Sequence, residues 1–155
     1  FILGLCYENL PNKEKALKHY QKAVQFKSDN ATCLFHLALA EKSFNMDSLS
    51  MAHFSQSLEV SLPKGRALRT YKWLADLHFL HNRYEEAARD FELCIAYDEE
   101  DDPLNYYNTA QMFIAAKNKL KAKLYLQMFI ANANRLEDKK SAAQLISKAK
   151  EQLKQ

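Results

Sequence analysis

The sequence predicts an all-α fold built from a short array of repeats. Only 2 Gly and 3 Pro occur among the 155 residues, so a β-sandwich or barrel would lack the turn residues that it needs. Hydrophobic residues make up 48% of the chain, which is enough for a sizeable core. A small residue also recurs as Gly4, Ala38, Ala75 and Ala110, at steps of 34, 37 and 35. This recurrence predicts a repeat architecture.

Other positions follow the same steps along the chain. A second small residue recurs in each repeat: Ala16, Ser50, Ala87, Ala122. A large aromatic residue recurs in the first three repeats: Tyr20, Phe54, Phe91. Small residues let two helix backbones approach closely, and aromatic residues fill the space between neighbouring helices. The columns therefore predict pairs of packed helices.

The motif Leu3-Gly4-x-x-Tyr7, followed by Ala16-x-x-x-Tyr20, resembles the tetratricopeptide repeat (TPR) family. The third repeat also fits, through Leu74-Ala75 and the segment "NRYEEAARDF". The second and fourth repeats are degenerate. The resemblance covers residues 1 to about 134 and implies antiparallel helix pairs stacked in a right-handed superhelix.

The predicted organisation is a single domain, residues 1–155, with about four helix pairs and a capping helix. The repeats are expected at 1–30 (truncated), 31–67, 68–102 and 103–136, and the capping helix at 137–154. First helices are expected near 1–9, 31–44, 66–80 and 103–116. Second helices are expected near 13–26, 47–61, 84–97 and 119–133. Turn residues such as Pro11-Asn12 and Pro63-Lys64-Gly65 separate them.

The two ends of the chain have distinct characters. The last segment carries one apolar stripe, through residues such as Leu145, Ile146 and Leu153, with lysines elsewhere. That pattern is typical of a terminal cap. By the repeat spacing, Phe1 falls inside the first helix of its pair, which predicts a fragment of a longer chain. Self-association through this truncated end is a further expectation.

The sequence contains no catalytic constellation, and we predict neither an enzyme nor a bound metal or cofactor. His78-x-x-His81 has a spacing that a metal site could use, but no Cys or carboxylate joins it at the expected spacing. The three cysteines lie far apart and lack a local activating group. The acidic run 98–102 lacks the alternating oxygen pattern of a calcium loop.

The resemblance implies that first helices line a concave groove that holds a partner's peptide. The candidate groove residues are aromatic with a few charges, as in a peptide-binding interface: Phe35, His36, Leu39, Arg69, Lys72, Trp73, Asp76, Tyr107, Asn108, Gln111. Phe35, Trp73 and Tyr107 could instead fill space between helices, and the sequence leaves this alternative open.

The predicted function is a non-catalytic protein-interaction module or scaffold with a protein or peptide ligand. The alternative is a regulatory or sensor segment of a larger enzyme or transcription regulator. Nucleic-acid binding is not expected, because Arg69 and Lys72 are few and Asp76 opposes them. No membrane insertion is expected, since the apolar stretches are far shorter than about 20 residues. Cysteine usage favours the cytoplasm, and a periplasmic or cell-envelope location stays open if a signal lies upstream.

Overall fold

The computed structural model describes residues 12–154. Within that range the chain forms only helices, with no strand: α1 (Lys13–Phe26), α2 (Ala31–Ser43), α3 (Asp47–Glu59), α4 (Lys64–Leu80), α5 (Tyr84–Tyr97), α6 (Pro103–Ala115), α7 (Lys119–Asn132), a 3₁₀ turn (Ala133–Arg135) and α8 (Lys139–Gln152). The predicted all-α class is confirmed, and each predicted helix in this range ends within two residues of the observed one. The helix predicted at 1–9 and its motif lie outside the described residues.

The chain divides into two compact units, and the boundary falls inside α4, between Thr70 and Tyr71. In the first unit, α1 packs on α2 through Ala16 and Tyr20, which are buried against Leu37. In the second unit, α6, α7 and α8 enclose a core whose buried members are Tyr106, Tyr107, Ala110, Leu126, Phe129, Ala133 and Ala149. The organisation as a single domain stays a prediction.

The small-residue columns lie where two helices meet. In the second repeat, the Ser50 hydroxyl on α3 donates a hydrogen bond to the backbone carbonyl of Ala38 on α2, at 2.8 Å. Both residues are completely buried. A larger side chain at either position would push the helix backbones apart. This contact explains why the two columns keep the same spacing along the sequence.

Each described turn between the helices of a pair contains one residue in the left-handed conformation. These residues are Asn45, Asn82 and Lys117, with φ values of 56°, 59° and 57°. The next backbone N–H reaches back to the preceding helix, as from Asn118 to the Phe113 carbonyl at 2.8 Å. Asparagine tolerates this conformation, whereas lysine adopts it at a cost. Lys117 is therefore the unfavourable member of the column.

We expect the substitution Lys117→Asn to stabilise the protein. The gain should be roughly 0.5–1 kcal/mol, part of the ~1–2 kcal/mol that a left-handed conformation costs an ordinary residue. Chemical denaturation monitored by circular dichroism measures it. Lys123→Asn is the matched control, because it makes the same charge change on the exposed face of a helix interior and should not stabilise. Equal effects of the two substitutions would assign the gain to charge rather than to backbone conformation.

Candidate functional site

In the first unit, the predicted groove residues differ in their burial. Phe35 is only 4% exposed, and its ring packs edge-on against Phe54 with centroids 5.9 Å apart. His36 is partly buried and stacks on Tyr20, with ring centroids 5.6 Å apart. Leu39 is also partly buried and lines a shallow depression beside α1. Phe35 is therefore a core residue of this unit, whereas His36 and Leu39 retain accessible surface.

Helix α4 carries four of the predicted residues. Arg69, in the part of α4 that belongs to the first unit, is exposed. Lys72 and Trp73 are partly buried, and Asp76 is exposed. Trp73 and Asp76 are separated by three positions, so they lie on the same side of the helix. This part of α4 presents an indole next to charged groups.

In the second unit, helix α6 carries the remaining three residues. Tyr107 is 7% exposed, and its ring lies 5.0 Å from that of Phe129 on α7. Asn108 and Gln111 are partly buried. The side-chain amide of Gln111 exchanges two hydrogen bonds with Gln152 of α8, at 3.0 and 3.1 Å. Gln111 thus helps to hold the last helix, and Tyr107 belongs to the core beneath it.

The burial of Phe35 and Tyr107 follows from their position in the repeat. Each lies three residues before the small residue that faces the partner helix, Ala38 or Ala110, so it lies on the same side of its helix. The positions one residue later, His36, Trp73 and Asn108, are all partly buried. This offset could have been found in the sequence, and it leaves Trp73 as the aromatic residue of the predicted set with accessible surface.

Two buried carboxylates pair with histidines, which the sequence reasoning missed. Oε2 of Glu41 on α2 lies 2.7 Å from Nδ1 of His53 on α3. Oδ2 of Asp90 on α5 lies 2.6 Å from Nδ1 of His78 on α4. Each pair joins the two helices of one repeat, and its members are twelve residues apart. His78 is therefore engaged by Asp90, and His81, its neighbour in the His78-x-x-His81 spacing, is exposed.

The same two positions in the fourth repeat hold an aromatic pair. Phe113 on α6 stacks on Tyr125 on α7, with centroids 5.7 Å apart and an interplanar angle of 14°. This pair of positions therefore links the two helices of a repeat, through ionisable side chains in two repeats and through aromatic side chains in the fourth. We interpret the histidine–carboxylate pairs as contacts that hold the two helices of a repeat together, as the aromatic pair does.

Burial shifts the pKa of ionisable groups between the helices. It raises the pKa of Glu41 and of Asp90, and in each case the hydrogen bond from the paired histidine acts in the opposite direction. Burial also raises the pKa of the Cys94 thiol to about 12. A thiol with such a pKa stays protonated near neutrality, and the thiolate is the nucleophile. Cys94 is therefore a small packing residue.

The acidic turn between α5 and α6 is bound to the protein's own donors. The Asp98 carboxylate accepts hydrogen bonds from the backbone N–H groups of Glu100 and Asp102 and from the Asn105 amide. Asp101 accepts from the Tyr106 hydroxyl and pairs with Arg135. These carboxylates stabilise the turn. Over residues 12–154 no three His, Cys, Asp or Glu side chains are grouped in a way that could hold a metal ion.

Among residues 12–154, none of the helices combines the length and the apolar content that a membrane span requires.

Comparison with known proteins identifies the fold. No protein-family model matches the sequence, and no curated protein matches it. Solved structures do match. A crystal structure of MamA aligns with a TM-score of 0.74 and 15% identity, over 97% of this chain and 78% of that one. A Podosopora anserina chain with nearly identical TPR-like repeats of the kinesin light chain type aligns with a TM-score of 0.69 and 15% identity, over 97% and 83%.

A third match comes from a large assembly. A chain of the APC/C hetero-tetramer Cut9–Hcn1 aligns with a TM-score of 0.66 and 18% identity, over 96% of this chain and 29% of that one. At such identities the likeness is one of fold. The chain has a TPR-like helical-repeat fold, as the resemblance of its motifs to that family implied.

Proposed function

We propose that the protein is a non-catalytic interaction module that binds a protein or peptide through the accessible face of its first helices. The TPR-like fold supports this, because its neighbours include chains of a multi-protein assembly. The surroundings of the ionisable groups also support it, since Cys94 is buried and His53 and His78 each pair with a carboxylate across the two helices of one repeat. The observation that carries the proposal is the accessible surface of the Trp73 indole.

Trp73 combines a large apolar area with charged neighbours. Its indole is partly buried, so it is held by the fold while retaining contact area for a ligand. Tryptophan side chains at such positions commonly dominate binding energy, whereas charged residues at the rim mainly change association rates. Lys72 precedes it and Asp76 follows one turn later, so both signs of charge are present. This mixture suits a peptide with an apolar anchor better than a nucleic acid.

We expect Trp73→Ala to weaken ligand binding at least ~30-fold, since about 1.4 kcal/mol corresponds to a factor of ten and a large aromatic anchor is worth ~2 kcal/mol. Peptides selected against the wild-type domain from a random display library provide the ligands. Isothermal titration calorimetry then measures their affinity for both proteins.

Lys22→Ala is the control, because Lys22 is an exposed residue of a second helix, α1. It should leave the affinity unchanged. Circular dichroism must show that both variants keep the wild-type helicity. Equal affinities of the wild type and the folded Trp73→Ala protein would reject the accessible face of α4 as the binding site.

A further inference from the structure

Helix α7 exposes two leucines at its amino-terminal half. Leu120 is 82% exposed and Leu124 is 51% exposed. They are four residues apart, so they lie one above the other on one face of the helix. The opposite face of α7 is buried through Ala122, Leu126 and Phe129. The two leucines thus form an apolar strip on a helix whose core contacts are already made.

The other repeats show that the fold does not require this strip. The positions equivalent to Leu120 are occupied by polar, exposed residues: Glu14, Ser48, Glu85. The positions equivalent to Leu124 are occupied by exposed residues without a large apolar side chain: Lys18, Ala52, Arg89. The same place in three other helices is therefore compatible with folding when no leucine is present. Among the described second helices, only α7 has leucine at these two positions.

The first turn of α7 also lacks the acidic residues found in the other described second helices. The first turns of α1, α3 and α5 contain acidic residues, which the helix dipole favours. The first turn of α7 contains none and instead carries Lys119 and Lys121. More widely, residues 117–155 hold ten Lys and Arg but three Asp and Glu. This end of the chain is therefore rich in positive charge.

The lysines in the first two turns of α7 differ in their surroundings. Lys121 turns towards the protein: its Nζ lies 3.0 Å from Glu92 Oε1 and 4.8 Å from the centre of the Phe113 ring. Lys119 and Lys123 each precede one of the exposed leucines by one position and are exposed themselves. They are four residues apart, so a row of two ammonium groups runs beside the row of two leucines. A ligand on this surface would meet apolar and positive groups together.

We propose that this surface, Lys119, Leu120, Lys123 and Leu124, docks an acidic amphipathic helix of a partner protein. Leucines one turn apart match the spacing by which two helices interlock. Carboxylates beside the partner's apolar stripe would face the two ammonium groups, which are exposed beside the leucines. The surface lies on a second helix and is distinct from the face of α4 proposed above.

A membrane surface fits the same residues less well. Helices that lie in a membrane interface present a broad apolar face, commonly with aromatic residues. Here the accessible apolar strip consists of two leucines along one helix, and the exposed residue one turn further along that helix is Gln127. Two leucines are enough to seat one helix but little to insert into lipid. Nucleic acid is disfavoured by the same leucines, which offer it no hydrogen bond.

The test uses the full chain and a synthetic helical peptide of about 18 residues, a length that can hold a helix. The peptide carries one leucine stripe flanked by glutamates, and a second peptide carries lysines in place of the glutamates. Fluorescence anisotropy measures binding at low and at high salt. We expect the wild-type protein to bind the acidic peptide at least about tenfold more tightly than the basic one, and salt to weaken that binding.

Two variants separate the apolar and the charged contributions. Leu120→Glu/Leu124→Arg transplants the residues of the third repeat, and Lys119→Glu/Lys123→Glu keeps the leucines. Each should weaken binding of the acidic peptide at least about tenfold, because each removes one of the two complementary rows. Neither should lower the melting temperature, since all four positions are exposed and the third repeat folds with Glu85 and Arg89 at the positions of the leucines. Ser48→Glu, at the equivalent position of α3, is the matched control and should leave binding unchanged.

Three results would overturn the proposal. One is equal binding of the acidic peptide to the wild type and the two α7 variants. Another is no measurable binding of that peptide to the wild type. The third is that the wild type prefers vesicles of phosphatidylcholine with roughly a third of phosphatidylserine, or a single-stranded oligonucleotide, and that the same variants abolish this preference.

Discussion

Removal of α8, by ending the chain after Leu136, is expected to lower the free energy of unfolding by several kcal/mol. The helix covers the core of the second unit: Ala149 is completely buried, and Leu145, Ile146 and Leu153 pack against that core. Without α8, Leu126 and Phe129 would lose part of their cover. Burial of apolar surface is worth ~25 cal/mol per Å², so uncovering a few hundred Å² costs an amount comparable to the stability of a small domain.

Thermal and chemical denaturation measure this loss, and gel filtration detects aggregation of the exposed surface. Leu145→Ala/Ile146→Ala is a milder version that keeps the chain length, and it should reproduce a large part of the effect. Lys148→Ala/Lys150→Ala alters exposed residues of the same helix and should do little. A truncated protein that stays monomeric with the wild-type melting temperature would show that α8 is not a cap.

The second large effect concerns the pair of His78 and Asp90. His78→Phe is expected to lower the free energy of unfolding by about 3 kcal/mol, because it leaves a buried carboxylate without its partner. The double variant His78→Phe/Asp90→Tyr installs the aromatic pair that the fourth repeat uses. It should recover the loss to within ~1 kcal/mol or exceed the wild type, since buried ion pairs are often replaceable by apolar residues.

The same variants should differ in their dependence on pH. Burial raises the pKa of Asp90 above its usual value of 3.8, so the folded protein holds this proton more tightly than the unfolded chain. The stability from this group is fully present below the unfolded pKa and is lost as pH rises through the folded one. The wild type should therefore lose stability relative to the double variant over that range. Arg83 and Glu86, the charged neighbours, are the same in both proteins.

Urea denaturation at a series of pH values tests this comparison. A constant difference in free energy between the two proteins would mean that Asp90 titrates alike in the folded and unfolded states. Full stability of His78→Phe alone would mean that the 2.6 Å contact contributes nothing to the fold.

The helical repeat could be predicted from the sequence because close helix packing restricts residue size. The contact of Ser50 with the Ala38 carbonyl leaves no room for a larger side chain, so both columns stay small in every repeat. Helix ends could be predicted because turns and helix caps also restrict the residue type. Asn45 and Asn82 lie where the chain adopts a left-handed turn, and Asn30 accepts a hydrogen bond from the Cys33 N–H at the start of α2.

The candidate site was less predictable, because one step along a helix changes its face by about 100° and separates a core position from a surface position. Phe35 and His36 were both assigned to the groove, yet the first is buried and the second is not. The pairing of His78 with Asp90 was also missed. The spacing His78-x-x-His81 directs attention to a neighbour in the sequence, whereas the partner of His78 lies on the next helix. The positions twelve residues apart are paired in three repeats, so this recurrence would have indicated the pairing of His78 with Asp90.

Trp73 has a further consequence, for measurement rather than for binding. It is the only tryptophan of the chain, and it lies on the part of α4 that belongs to the second unit. Selective excitation of the indole therefore reports the unfolding of that unit, whereas circular dichroism reports helices from both. Coincident curves would indicate one cooperative transition, and separate curves would resolve two. A single intrinsic fluorophore thus makes the cooperativity between the two halves of the array measurable without a label.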